Sequence, residues 1–176
     1  IGRKLVKPGT IRQIEYDLMD VEIGESWPIP ITVIHGSRPG PVVTLIGALH
    51  GNELVGPLAL TYLQSHAILG EDKPIDPSTV AGTIRIIPIV NMPGYRRRSR
   101  YMTDGRDLNR FFPGKEDSNT TSRVANRLWK EIFQNSDHIL DLHTAALGRS
   151  NMPQIRANLA NPASNRSARS FGIEVI

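Results

Sequence analysis

Apolar residues fall along this 176-residue chain in two alternating rhythms, one of strands and one of helices. Thr10–Met19 alternates apolar and polar positions, and Ile29–Ile34 is β-branched, so both predict strands. After a turn rich in Gly and Pro at Gly36–Pro41, Val42–Leu49 is a nearly continuous apolar run, the pattern of a strand covered on both faces. Leu54, Leu58, Tyr62 and Leu63 follow at helical spacing and predict a helix reaching about Ala67. Pro57 lacks an N–H and fits only in the first turn, so the helix starts near Leu54 or Val55 and Glu53 lies at its mouth.

A connection over Pro74–Gly82 leads to a third apolar strand, Thr83–Val90. Asn91 to about Asn119 carries too many Gly, Pro, Arg and Asp residues for a regular element and predicts a long loop, a length that usually serves function. Thr121–Asn135 predicts a helix with Val124, Leu128, Ile132 and Phe133 on one side, and Asp137–Leu142 a fourth, interior strand. Pro162–Phe171 reads as a short helix and Gly172–Ile176 as the start of a further strand, which predicts a domain continuing past Ile176. Strands alternating with helices indicate an α/β fold, a mixed and mostly parallel sheet flanked by helices.

Composition narrows the class. The 39% hydrophobic and 22% charged content is that of a globular domain, and no run approaches the ~20 apolar residues of a membrane span. Cysteine is absent, which removes disulfides and Cys-ligated metal and favours a reducing, cytoplasmic setting. The net charge of +4 is unevenly spread: Arg96, Arg97, Arg98 and Arg100 lie within five positions. Tyr95 and Tyr101 flank them, but Pro93-Gly94 and Asp104-Gly105 mark the stretch as a loop. A solvated loop or arginines turned towards an anionic substrate therefore suits it better than a nucleic-acid footprint.

The candidate chemistry sits at strand ends. His50-Gly51-Asn52-Glu53 closes the run Val42–Leu49, and Ile139–Leu142 runs straight into His143, 90 positions after Glu53 (143 − 53). A short His/Glu pair plus one distant histidine is a common ligand set for one hydrolytic zinc, with a fourth position open to water. Asp141 shares a strand face with His143 and is placed to orient its imidazole from behind. The rival reading is a helix-capping carboxylate and two satisfied histidines. His35, His66 and His138 are weaker ligand candidates. Asn109-Arg110 suits a substrate carboxylate, the arginine bidentately, but Arg110 paired with Asp107 is an equal alternative.

Three motifs, in this order, carry a resemblance: Gly47-Ala48-Leu49-His50-Gly51-Asn52-Glu53; Gly105-Arg106-Asp107-Leu108-Asn109-Arg110 with Phe112-Pro113-Gly114; and Asp141-Leu142-His143-Thr144. They resemble the succinylglutamate desuccinylase/aspartoacylase family, which is related to the zinc carboxypeptidases, over roughly Pro30 to Ile176. Gly148-Arg149, Asn151, Pro153 and Ile155-Arg156-Ala157 look like a bacterial branch of it.

The resemblance implies a zinc carboxypeptidase-like catalytic domain over residues 30–176, preceded by an N-terminal strand segment over residues 1–29. It implies one Zn2+ held by His50, Glu53 and His143, and a substrate carboxylate gripped by Asn109 and Arg110. Arg100 takes the place of the arginine that polarises the scissile carbonyl, with Arg97, Arg98 and Arg106 as alternatives because the spacing to the motif differs by two residues.

The family's general base is a glutamate on a strand well after the third ligand. Glu174 lies only 31 positions after His143 (174 − 143), about half the family spacing, so the base is expected beyond Ile176. The activity implied is hydrolysis of the amide or ester bond of an N-acyl amino acid or similar small carboxylate, with these 176 residues inactive alone. The expected partners are that substrate and the remaining C-terminal part of the polypeptide. No nucleic acid or membrane is expected, and a homo-oligomer is compatible. A peptide carboxypeptidase and a catalytically silent metal-binding module are the alternatives.

Overall fold

The computed structural model describes residues 4–19, 26–64, 75–145 and 148–176. His66 and the predicted helix end at Ala67 lie outside the described residues. The chain divides into two compact units, Ile1–His143 and Thr144–Ile176.

In the first unit β1 (Thr10–Asp17), β2 (Pro28–His35), β3 (Arg38–Gly47), β4 (Ala81–Ile87) and β5 (His138–Leu142) form one sheet in the order β1-β2-β4-β3-β5. The β1–β2 and β2–β4 ladders are antiparallel, while β3 runs parallel to both β4 and β5. β3 begins four residues before the predicted Val42, with a register shift between Arg38 and Val42. Pro39 and Pro41 have no N–H to give a regular ladder, which is why their sequence reads as a turn.

Among the described residues β5 lies at the edge of the sheet, where the sequence predicts an interior strand, with Ile139 41% exposed. Its apolar run reports a tendency to be covered and says nothing of how many strands flank it.

Side chains alternate across the sheet and build two cores. On one face Ile29, Ile31, Val33, Ile46 and Ile87 meet α3 (Thr120–Leu128) and the π-helical turn Trp129–Phe133 that continues it. Val124, Leu128, Ile132 and Phe133 are buried there, as the spacing predicts. Asn119 starts α3 by accepting a hydrogen bond from Ser122 N at 3.0 Å.

On the opposite face α1 (Val55–Gln64) covers Ile34 and Ile86. Its orientation overturns the simple reading of its sequence. Of the four apolar residues at helical spacing, Leu54, Leu58 and Tyr62 are 48%, 54% and 45% exposed and only Leu63 packs against this core, whereas Gly56, Pro57 and Leu60 are buried. A Cβ at Gly56 would stand 2.7 Å from Leu142 O and 3.0 Å from Leu142 Cβ, so only glycine lets the helix lie this close to β5. Close backbone approach selects the face with the smallest residue, not the most apolar one.

The long stretch from Asn91 to Asn119 is more regular than predicted. It contains α2 (Met92–Arg96) and a 3-10 turn, Leu108–Arg110. Met102 and Leu108 anchor it in the core, and Asn126 Nδ2 donates to Gly114 O at 3.3 Å. Asp104 ties it to the start of α3, accepting from Thr121 N at 3.0 Å and from the Thr121 hydroxyl.

In the second unit α4 (Pro162–Ser170) is capped by Asn161, whose side chain accepts from Ala163 N and Ser164 N. The predicted strand over Gly172–Ile176 is not formed; Gly172 N donates back to Arg169 O at 3.2 Å, and Ile155 N donates to Val175 O at 2.9 Å. Two apolar residues flanking Glu174 do not make a strand without a partner ladder. Among the described residues no helix is long and apolar enough to cross a membrane.

Partial burial pushes the Asp104 carboxyl up, but hydrogen bonds from Thr121 and Arg106 outweigh it and hold the group below its ordinary value. A depressed folded value means stabilisation that is present above the unfolded carboxylate range, near pH ~4, and lost as pH falls through the folded value. Asp104→Ala should therefore lower stability to urea by about 1–2 kcal/mol at neutral pH, the usual cost of a lost helix-start acceptor. The gap between parent and variant should close below about pH 4; a gap unchanged at acid pH would show that the carboxylate is not the cause.

Candidate metal centre

The parallel pairing of β3 and β5 puts their carboxyl ends side by side, with Gly47 opposite Leu142. His143 follows β5 directly. His50 follows β3 after a turn in which Ala48 takes a positive φ of 46°, a conformation non-glycine residues rarely adopt. The turn is held from β4: Val90 N donates to Gly47 O and Asn91 N to Ala48 O, both at 3.0 Å. Asn91 is fully buried, accepts from Gly94 N at 2.9 Å as the cap of α2, and donates to Leu49 O at 3.4 Å. Glu53 N then returns to His50 O at 3.1 Å, folding the glutamate back beside the histidine. Gly51 makes this possible, since a Cβ there would stand 2.1 Å from Gly94 C and 2.2 Å from Tyr95 N.

The structure thereby brings the three predicted ligands together. Ligand atoms of His50, Glu53 and His143 all lie within 4.8 Å of one another. His50 Nδ1 is 2.8 Å from Glu53 Oε1 and His143 Nδ1 is 2.9 Å from Glu53 Oε2. Each imidazole is backed by a second carboxylate: His50 Nε2 is 3.0 Å from Asp107 Oδ1, and His143 Nε2 is 2.6 Å from Asp141 Oδ2. A proton donated from each Nε2 to its aspartate leaves both Nδ1 lone pairs facing Glu53.

Charge points the same way. Glu53, Asp107 and Asp141 carry −3 and Arg100 carries +1, so the cluster holds −2 when its histidines are neutral. His50 and Glu53 are 3% and 4% exposed, where an unbalanced charge is costly. A divalent cation between the two Nδ1 atoms and the glutamate balances that sum, so the residues fit a metal ion. The Asp141 hydrogen bond raises the His143 imidazole above its ordinary value, burial opposes it, and Glu53 adds to the rise.

Arg100 lies beside this cluster, as expected from the resemblance. It donates through Nε at 3.2 Å and Nη2 at 2.9 Å to Asp107 Oδ2, and its Nη1 is 3.5 Å from Glu53 Oε1. Arg97 and Arg98 are exposed, and Arg106 pairs with Asp104 at 3.4 Å, so none of these alternatives reaches the cluster. Asp107 is the junction of the cluster. Of the two alternatives for Arg110, the pair with Asp107 is not formed: Asp107 engages His50 and Arg100 and caps the 3-10 turn by accepting from Asn109 N at 3.0 Å. Burial pushes the Asp107 carboxyl up, but Arg100, the Asn109 N–H and His50 together hold it below the ordinary carboxylate range.

Asn109 and Arg110 thus leave from a turn tied to the cluster through Asp107. Arg110 is exposed, and its guanidinium donates to Asn109 O at 3.4 Å. Asn91 is a residue the sequence reading missed. Its signal was present, an Asn between a strand and a Pro-Gly pair, which is the pattern of a helix cap. His35 is occupied away from the site, its Nδ1 2.9 Å from Val6 O.

The profile of the succinylglutamate desuccinylase/aspartoacylase catalytic domain matches residues 39–176. The chain is 32% identical over 151 residues to the N-alpha-acetyl-L-2,4-diaminobutyric acid deacetylase of Halomonas elongata, covering 82% of this chain and 41% of that protein. In structure it is similar to a succinylglutamate desuccinylase/aspartoacylase from Rhodobacter sphaeroides, with 30% identity, a TM-score of 0.66, and coverage of 80% and 41% of the two chains. It is also similar to the product-bound ectoine utilization protein EutE (DoeB) of Ruegeria pomeroyi, with 28% identity, a TM-score of 0.64, and coverage of 81% and 42%. The chain thus spans about two fifths of the length of these relatives. With its α/β sheet, its ordered motifs and a profile match over most of its length, this chain belongs to the succinylglutamate desuccinylase/aspartoacylase family.

Proposed function

We propose that the whole protein is a zinc-dependent deacylase that cleaves the amide bond of an N-acylated amino acid. The observation that carries this is the facing of His50 Nδ1, His143 Nδ1 and the Glu53 carboxylate, each imidazole backed by its own aspartate, with one arginine at hand. Two imidazoles and a carboxylate are a hydrolytic zinc set, and zinc held there would acidify a water and draw charge from the scissile carbonyl. Asp107 and Asp141 keep the ligand tautomers fixed. Asp107 also holds Arg100 so that its guanidinium can receive the negative charge that develops on the carbonyl oxygen. Asn109 and Arg110 grip the substrate carboxylate, which sets the amide in register with the metal.

The proton transfer needs another group. Glu53, Asp107 and Asp141 are each engaged by an imidazole, and the resemblance implies a glutamate much further after His143 than Glu174, so we assign the general base to a part of the whole protein outside these 176 residues. A missing acid–base group costs roughly 10²–10⁴-fold, and the 176-residue chain should bind metal yet turn over N-acyl amino acids that much more slowly than the whole protein. Comparable turnover by the two, abolished by Glu174→Gln, would place the base at Glu174 instead.

The metal assignment is tested by zinc titration of the parent, Asp107→Asn and His143→Ala. Asp107→Asn should weaken zinc by about 10–100-fold and His143→Ala by more, because the first disturbs the backing of a ligand and the second removes one. Stoichiometric, tightly held zinc in His143→Ala would eliminate this ligand set.

For the carboxylate clamp, Arg110→Lys in the whole protein should reduce kcat/KM for the free-acid substrate more than for its methyl ester. Lysine keeps the charge but loses the two-pronged geometry. Equal losses on both substrates would leave Arg110 a merely structural role.

A further inference from the structure

Between Arg96 and Arg110 lie six arginines and two aspartates, a net of +4, which equals the formal net charge of the entire chain. The remaining basic and acidic residues cancel at 15 each (21 − 6 and 17 − 2). Within the stretch the arginines fall into different sets. Arg100 and Arg106 are paired with carboxylates. The side chains of Arg96, Arg97 and Arg98 are exposed and, among the described residues, have no ion-pair or hydrogen-bond partner. Three adjacent like charges repel one another, and none of the three has a carboxylate partner among the described residues.

Their position gives them a use. They close α2, whose first turn carries the Gly94–Tyr95 backbone that Gly51 touches in the histidine turn. Arg97 N donates to Pro93 O and Arg98 N to Tyr95 O. Arg98 takes a φ of 51°, and Ser99 N returns to Gly94 O at 2.9 Å, which sends Arg100 back to the cluster. A helix of five residues rises only about 7.5 Å, so the backbone of all three arginines stands within about one Debye length of physiological salt of the ligand turn.

We propose that Arg96, Arg97 and Arg98 form an electrostatic rim that draws anionic substrates to the metal centre and speeds their capture. The rim acts through its field and not by contact with the bound substrate, so it is separate from the grip of Asn109 and Arg110. It rests on the deacylase reading above. Coulomb attraction of three unit charges at about 10 Å in water at ~10 mM salt favours encounter with a monoanion by roughly fourfold. The factor for a dianion is the square of that, about twentyfold, and both approach unity near ~0.5 M salt, where screening cuts the field.

The experiment uses the whole, zinc-loaded protein and its Arg96→Gln/Arg97→Gln/Arg98→Gln variant. Hydrolysis is followed for an N-acyl amino acid with one carboxylate, one with two, and a neutral methyl ester. At ~10 mM salt the variant should lose about fourfold in kcat/KM on the monoanion, about twentyfold on the dianion and nothing on the ester. The loss should fall on KM rather than kcat and vanish near ~0.5 M salt. Arg97→Glu alone, which changes the charge by two of the three units lost in the triple variant, should give about two thirds of the effect on a logarithmic scale. An equal loss on the neutral ester, a loss that survives high salt, or no loss at low salt overturns the proposal. So does tight binding of a single-stranded oligonucleotide that the triple variant abolishes while hydrolysis is unchanged.

If the parent hydrolyses none of the three substrates, the deacylase reading fails by itself. Succinate binding to the zinc-loaded protein then decides the rim. A steeper fall of affinity with salt in the parent than in the variant supports it, and equal slopes overturn it.

Discussion

The parallel ladder between β3 and β5 is the constraint on which the site depends. It aligns Gly47 with Leu142 and so brings together His50 and His143, which lie 93 positions apart (143 − 50). Parallel neighbours end on the same side of the sheet, so both histidines emerge at one edge, the crevice where open α/β sheets place their ligands. The same ladder fixes α1. Gly56 rests on Leu142 and Gly47 approaches Pro57 N, so the helix that begins just after Glu53 cannot rise from the sheet. A side chain at either glycine would push the glutamate away from one histidine or the other. Sheet register and ligand geometry are therefore one property of this chain.

Around that frame the polar groups form a closed chain of pairs. Asp141 backs His143, Glu53 lies between the two histidines, His50 meets Asp107, and Asp107 holds Arg100. Gathering three carboxylates, Glu53 buried and the two aspartates partly so, around one arginine would be unfavourable for a purely structural cluster, since replacement by apolar groups would serve stability as well or better. Retaining the set makes physical sense where a cation completes it. The Asp107 junction further ties His50 to the turn bearing Asn109 and Arg110.

The arginines show how the fold sorts residues that look alike in a sequence. Arg100 is turned inward because a tight turn at Arg98 redirects the chain and because Asp107 receives it. Arg106 is spent on Asp104, which also starts α3 and thereby braces the loop against the core. Arg96 to Arg98, with identical chemistry, are left facing water. Electrostatic partnership, not residue type, separates the arginine held in the cluster from the three left in solvent.

Much of this was legible in the sequence. The strands at Thr10–Asp17, Pro28–His35 and Ala81–Ile87, the buried face of Val124, Leu128, Ile132 and Phe133, and the strand-end positions of His50 and His143 follow from periodicity and punctuation. Side-chain alternation and helical spacing are local, so residues near in sequence report them. The exposure of Leu54, Leu58 and Tyr62 was not legible, because it follows from the fit of Gly56 against a strand 86 positions later (142 − 56). Nor were the edge position of β5, the partners of Asp107 and the buried cap made by Asn91. Each is a choice among partners that local pattern leaves equivalent. Only the folded chain, by bringing particular atoms within hydrogen-bonding or van der Waals distance, decides between them.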